Sequence, residues 1–524
     1  MNLIFDRYQV PADYAALKGE HLRLVSLHEK AMGYAKHDID YLREENKRLR
    51  IALYASKSET VKYTQKLLFN EFEFEAQAVA PENQDPVPAP KETEVKGHTR
   101  KPGGRKPLPA NLPTEEVVHD LADENKICPT DGAALHVIGK EVSEELQFIP
   151  AQVKVIKHVS LKYGCRACEQ TIVQAKAPEK VIPKSFASPS LLAHIAVAKY
   201  QDHLPLYRQE QMFKRLDIDL SRSTLAQWMI RTADILKPLV NQFAEDILTS
   251  EVIQCDETPV TVLKPGGTAV VKIAYMWVTA RWGPKPIVVY DYGDNRSSGI
   301  AVSKLSSFTG YLQVDGYAGY NKVILESKGK IIRVACMAHI RRKFVDFLKT
   351  IPQEDREKHW TLDFLDDVRK LYAIEREIKD NPPEVRHTVR MEKSSAIITE
   401  LKEWLVKKSV DVAPKSILGR AFAYALDQWP FFERYLEDGR CEIDNNLIEN
   451  AIRPFALGKK NWLFCDTAKG ADSSAILYSV METAKRNGYN PEAYIKFVLE
   501  NKKLLETADG IQTLLPYQSN DLKI

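Results

Sequence analysis

The stretch Glu442–Phe464, EIDNNLIENAIRPFALGKKNWLF, sets one carboxylate, Glu449, among amides, Arg453 and the pair Lys459–Lys460. Read as a helix from about Asn445, it puts Glu449 and Arg453 four apart on one face. Such a pair is also what an exposed ion pair looks like, and those contribute little. Two upstream aspartates change its setting. Asp256 closes the apolar run VIQCDETP and Asp315 closes YLQVDGYAGY, and both runs read as strands ending in turn residues. Three acids on two strand ends and one later helix suit two-metal phosphoryl transfer. Carboxylates would converge on two divalent ions about 4 Å apart, one activating the attacking oxygen and one stabilising the leaving oxygen. Hard oxygen ligands suit Mg2+ (or Mn2+), which keeps waters and takes a substrate phosphate as a ligand. Basic residues beside the third acid would hold DNA phosphates.

Five stretches carry a resemblance: DETPV at 256, VDGYAGYN at 314, CMAHIRRKF at 336, IDNNLIENAIRPFALGKKNWLF at 443 and YSVMETAKRNGYNPEAYI at 478. Together they resemble the transposases of the insertion sequence 66 family, bacterial enzymes of the DDE, ribonuclease-H-like class. The resemblance implies that Asp256, Asp315 and Glu449 are the catalytic triad and the ligands of two Mg2+ (or Mn2+) ions, with Asn450 in support. It implies a DNA transposase acting on double-stranded DNA, both the element's terminal inverted repeats and the target, by hydrolysis and then transesterification. A homo-oligomer and small accessory proteins are further implied partners. A DDE-like nuclease without strand transfer would share every site residue. A non-catalytic, transposase-derived DNA-binding protein would not need all three carboxylates in intact motifs.

At 524 residues the chain exceeds one core, and length alone suggests about three or four domains. With 44% hydrophobic and 28% charged residues it reads as globular. The net charge of +3 is the small difference between 74 basic and 71 acidic residues, so local clusters must carry any nucleic-acid argument. The start, MNLIFDRYQV, shows no charged-then-apolar signal pattern, no apolar run approaches a membrane span, and seven cysteines, an odd number in a long chain, argue against a disulfide framework. These features predict a cytoplasmic protein with no membrane partner, and the resemblance implies a bacterial one that is nucleoid-associated when bound to DNA.

The fold class expected is multidomain α+β. Residues 1–75 read as a helical, coiled-coil-like oligomerisation segment, with Ile39, Asn46 and Leu53 at a positions and Leu42 and Leu49 at d. Residues 76–113 form a Pro-rich linker whose Arg100, Lys101, Arg105 and Lys106 could neutralise phosphates or simply keep the linker solvated. Residues 114–180 read as a small β-rich, zinc-knuckle-like module. Cys165 and Cys168 form one C-x-x-C; the matching upstream knuckle has Cys128, but Asp131 stands at the fourth ligand position. A structural Zn2+ on Cys128, Asp131, Cys165 and Cys168 is one reading, and a zinc-free β knuckle is the other. Residues 185–250 read as a helical, helix-turn-helix-like DNA-binding region, in which Ser221 or Ser223 caps a helix carrying Thr224, Gln227 and Arg231.

From 251 to 350 the order strand–strand–strand–helix–strand–helix–strand predicts the first part of a ribonuclease-H-like α/β core, its first three strands antiparallel. Cys336 and His339 follow the last strand as a support for the site, or as a buried thiol and a capping histidine. Arg341, Arg342 and Lys343 open the next helix within reach of phosphates. Residues 351–440 read as an α-helical insertion, 441–508 as the last part of the core with two packed helices, and 509–524 as a polar tail.

Overall fold

The computed structural model describes residues 153–164, 172–174, 178–264 and 271–518. The zipper-like segment, the basic linker residues Arg100, Lys101, Arg105 and Lys106, and the zinc-ligand candidates Cys128, Asp131, Cys165 and Cys168 lie outside the described residues. The chain divides into two packing units, Lys57–Ala177 and the remainder. In the first, strands β1 (Lys162–Gly164) and β2 (Ile172–Gln174) pair antiparallel, Tyr163 opposite Val173.

The larger unit opens with three helices. In α1 (Pro189–Tyr200) the Ser188 hydroxyl accepts from Leu191 N and Pro189 supplies a pre-set first turn. Helix α2 (Leu206–Lys214) is followed by a turn and α3 (Arg222–Leu248), whose N-cap Ser221 accepts from Thr224 N. The helix–turn–helix spacing is therefore present, with Gln227 and Arg231 exposed. The opposite face of α3 (Leu225, Trp228, Leu236, Phe243) is buried in one continuous apolar core with the strands that follow. The region 185–250 thus shares its core with the sheet and does not pack as a separate module.

The sheet has the expected order. Strands β3 (Val252–Lys264), β4 (Lys272–Arg281) and β5 (Ile287–Gly293) form an antiparallel meander. Helix α4 (Ser298–Leu305) leads to β6 (Gly310–Gln313), and α5 (Gly319–Glu326) leads to β7 (Ile331–Val334). These two strands run parallel to β3 and to each other, giving the order β5-β4-β3-β6-β7. A short late strand, β8 (Cys465–Thr467), lies parallel to the far end of β3.

Helix α6 (Met337–Thr350) opens the insertion, which continues through α7 (Thr361–Ile378) and α8 (Pro383–Val389). A π-helical turn at Arg390–Ser394 joins α8 to α9 (Ser395–Ser409), and α10 (Ile417–Phe432) completes it. The insertion has its own aromatic centre: Phe344 packs on Phe364 at 4.4 Å and Trp404 stacks on Phe422 at 5.6 Å. Helix α11 (Asn446–Trp462) then returns to the sheet.

Helix α12 (Ala468–Arg486) is buried over Ser473–Ala484 and packs on β5 and α3. Its hydroxyls serve strand backbone: Ser479 Oγ accepts from Tyr290 N (2.8 Å) and Thr483 Oγ1 from Val288 N (3.1 Å). Helices α13 (Pro491–Glu500) and α14 (Ala508–Leu514) follow. The described part of the expected tail is not one: Leu514, Leu515 and Tyr517 are buried, and the Tyr517 hydroxyl donates to Asp246. The apolar run LLPY explains this, because its burial offsets the cost of ordering the segment. Among the described residues no helix is long and apolar enough to cross a membrane.

Candidate active site

Asp256 does not close its strand. The β3–β4 ladder continues past it from Gln254↔Ala280 to Val262↔Lys272, with Asp256 opposite Val278. What ends near Asp256 is pairing on the other edge of β3, where β6 covers 252–254 and β8 meets Val262 and Lys264. Residues 255–261 of that edge have no strand partner among the described residues, and α11 packs there instead. Asp315 lies two residues beyond β6, its Oδ1 accepting from Tyr317 N at 2.9 Å. Gln254 and Gln313 are register partners, and each aspartate follows its glutamine by two residues, Asp256 within β3 and Asp315 just past the end of β6. Gly316 has to be small here, because a Cβ would lie 2.5 Å from the Tyr424 hydroxyl of α10.

Glu449 sits in the first turn of α11, where the helix dipole favours a negative charge. Its Oε1 is 3.7 Å from His339 Nε2 and its Oε2 3.7 Å from an Arg342 guanidinium nitrogen. Glu449 Oε1 and His339 Nδ1 are both buried without a hydrogen-bond partner. Burial pushes the Asp256 carboxyl well above the usual carboxylate range, and the charges of Glu257, Asp315 and Glu449 push it further. Burial lowers the His339 pKa, against the opposing pull of Glu449. Among the described residues no group of three or more His, Cys, Asp or Glu side chains stands close enough together to hold a metal ion as they are placed. The donor set still suits a hard divalent cation: three carboxylates from three elements, two of which raise the third, and one orphaned buried carboxylate oxygen.

The other candidates separate into distinct settings. Cys336 is buried; its Sγ accepts from Asn445 N at 3.2 Å, and burial drives its pKa well up. Met337 N donates to the Ile443 carbonyl alongside, so the start of α6 braces the segment that leads to Glu449. Arg342 faces Glu449, the exposed Lys343 lies over the Tyr424 ring, and Arg341 is half-buried near Tyr372 and Asp444. On α11, Arg453 and Lys460 are exposed and Asn450 is half-buried. Lys459 is engaged elsewhere: its Nζ donates to the Pro259 carbonyl at 2.7 Å, tying the end of α11 to the strand-free edge of β3.

Several residues were not singled out by sequence. Glu257 is buried and held by Arg296 Nε (2.7 Å) and the Tyr320 hydroxyl (2.8 Å), while Arg296 lies 4.0 Å over the Tyr317 ring beside Asp315. Arg333, 2% exposed, donates to the Asp315 carbonyl (3.0 Å) and to Gln428 of α10 (2.6 Å). Asp444 is buried, accepts from Tyr372 (2.8 Å) and Asn446 N (3.0 Å), and burial pushes its carboxyl up to about 6. The one sequence signal for Asp444 was an acid at the start of a helix. Nothing local marked Arg333 as buried.

Residues 184–473 match a family profile described as Transposase IS66 family. Residues 125–169 match the zinc-finger binding domain of transposase IS66, 41–117 match Transposase C of IS166 homeodomain, and 479–517 match the IS66 C-terminal element. Three uncharacterized proteins of Sinorhizobium fredii (strain NBRC 101917 / NGR234) are similar. The chain is 36% identical to y4jD over 422 residues, 78% of this chain and 81% of that protein. It is 33% identical to y4qI over 443 residues (81% of each) and 32% identical to y4hP over 418 (77% and 75%).

Proposed function

This chain belongs to the IS66 transposase family, and from that premise we propose that it is a DDE transposase that binds the ends of its mobile element, cleaves DNA there and joins the freed 3′ end to target DNA. What supports the reading is that Asp256 on β3, Asp315 just beyond β6 and Glu449 in the first turn of α11 lie near enough for the charges of Asp315 and Glu449 to raise the buried Asp256 carboxyl. Asp256, Asp315 and Glu449 would hold Mg2+ or Mn2+. Such ions, when bound, activate the attacking water or 3′-hydroxyl and stabilise the leaving oxygen.

The chain's own residues then have separate tasks. Asp256 would supply oxygens from within β3, Asp315 from just beyond β6, and Glu449 from the first turn of α11. Arg342, 3.7 Å from Glu449 Oε2, would help to orient the carboxylate, and His339 stands 3.7 Å from Oε1 without a hydrogen bond to it. Arg453, Lys460 and Lys343 would neutralise DNA phosphates beside the carboxylates. In the upstream module Cys128, Cys165 and Cys168 would hold a structural zinc, with Asp131 as a weaker fourth ligand; the zinc-finger match over 125–169 supports this. Self-association through residues 39–53 and help from accessory proteins complete the proposal.

Cleavage of labelled element-end DNA in Mg2+, paired with a binding assay, tests the reading. Asp256→Asn, Asp315→Asn and Glu449→Gln should each lower cleavage by about a thousand-fold or more, since metal-borne stabilisation amounts to several kcal/mol, with DNA affinity nearly intact. Wild-type cleavage by Glu449→Gln would refute the triad.

A further inference from the structure

The runs IQCD and LQVD share a spacing that the function above does not use: a glutamine two residues before each aspartate. Alternation along a strand puts Gln254 on the face of Asp256, and Asp315 lies just past the end of the strand that carries Gln313. The two glutamines are register partners on β3 and β6, and both are buried, 1% and 0% exposed. A buried amide is costly unless its groups are hydrogen-bonded, and these are. Gln254 Nε2 donates to Gln313 Oε1 (3.0 Å) and to the Asp444 carbonyl (3.3 Å), while its Oε1 accepts from Trp282 Nε1 (2.8 Å). Gln313 Nε2 donates to the Glu442 carbonyl (2.6 Å), and its Oε1 accepts from Glu442 N (3.2 Å). The last two bonds make the Gln313 side chain act towards Glu442 as a neighbouring strand would.

The segment gripped in this way leads directly into α11 and Glu449. It has no strand partner of its own among the described residues, so side-chain amides stand in for a ladder. We infer that Gln254 and Gln313 are positioning residues, which set where Glu449 stands relative to Asp256 and Asp315 and thereby how tightly the three carboxylates hold a divalent cation. Neither glutamine needs to touch metal or DNA. The inference rests on the proposed triad.

The test uses the full-length protein with Gln254→Met and Gln313→Met, which keep side-chain length and remove the hydrogen bonds. Mn2+ binding is measured without DNA, from the paramagnetic resonance of free Mn2+, and the Mg2+ dependence of cleavage is measured separately. Outer-shell partners of metal ligands commonly change metal affinity by about 10- to 100-fold. Each variant should therefore bind Mn2+ at least about ten-fold more weakly and need correspondingly more Mg2+ for half-maximal cleavage, with the rate largely recovered at saturating Mg2+. An unchanged metal dependence, whether the rate falls or not, overturns the inference. Should the methionine variants not fold, Gln313→Asn keeps the amide but shortens its reach to the Glu442 backbone, and its Mn2+ affinity should fall at least about ten-fold. An unchanged affinity counts against the clamp. Glu449→Gln in the same Mn2+ assay separates the two failures. Wild-type Mn2+ binding there sinks the triad, whereas weakened binding there beside unaffected glutamine variants sinks the clamp alone.

Discussion

Asp256 and Asp315 are placed by backbone, and Glu449 reaches the same corner through buried side chains. On the sheet side, a continuous ladder runs from Gln254↔Ala280 to Val262↔Lys272, and β6 joins β3 in parallel register. The position of Asp256 depends on many equivalent bonds and on the two-residue period, while Asp315, two residues past β6, is held in addition by Arg333 on its carbonyl. On the insertion side the approach to Glu449 runs through charged pairs. Arg390, fully buried, grips Glu375 with two bonds of 2.8 and 2.7 Å. Arg386 grips Glu442 with two of 3.0 and 2.9 Å, and Asp444 is held by Tyr372. Each pair is tolerable only while both partners remain. Two of the three carboxylates should therefore resist mutation of their surroundings, and the third should be sensitive to it.

The strongest challenge to this contrast is Arg390→Met. It leaves the buried Glu375 carboxylate with only Arg386 Nη2, at 3.6 Å, as a cation, and breaking a buried pair typically costs about 3–5 kcal/mol. Denaturant unfolding should show the loss, and adding Glu375→Leu should return much of it. A cost below about 1 kcal/mol would mean that the pair does not hold the insertion.

A smaller effect sharpens the contrast through pH. Asp444 in the folded protein is pushed up to about 6 by burial, against about 3.9 for an unperturbed aspartate. A folded acid with a raised pKa gives its full stabilisation below about pH 4 and loses it as pH rises through 6. Asp444→Asn should remove that share of the decline, on the order of 1–3 kcal/mol between about pH 4 and about pH 7. The check is urea unfolding at several pH values. Parallel curves for wild type and variant would show that Asp444 is not the titrating group.

The smallest effect compares neighbours on α11. Lys460→Ala should flatten the salt dependence of DNA binding by about 0.9 unit of log–log slope, the expectation for one lost phosphate contact. Lys459→Ala should leave the slope nearly unchanged, because its ammonium is already used on the Pro259 carbonyl of β3. Equal changes in the two slopes would show that Lys459 leaves that carbonyl for DNA.

Much of this was legible in the sequence. The three antiparallel strands, the helix–strand–helix–strand continuation and the helix bearing Glu449 all follow from periods of two and 3.6 residues and from turn residues between them. The cap at Ser221, one of the two serines proposed, was equally local, since its hydroxyl serves a backbone N–H three residues on. The acids at 256, 315 and 449 could be nominated because hard-metal chemistry calls for carboxylates near strand and helix ends. What tertiary structure alone decided lies between distant elements. It put α1–α3 into the sheet's core, turned Lys459 from solvent to a strand carbonyl, docked Leu514, Leu515 and Tyr517, and joined Gln254 to Gln313 and both to the approach to Glu449. Local pattern reports which face of an element is apolar. Which buried polar group meets which depends on the register between elements remote in the chain, and that register exists only once they have packed.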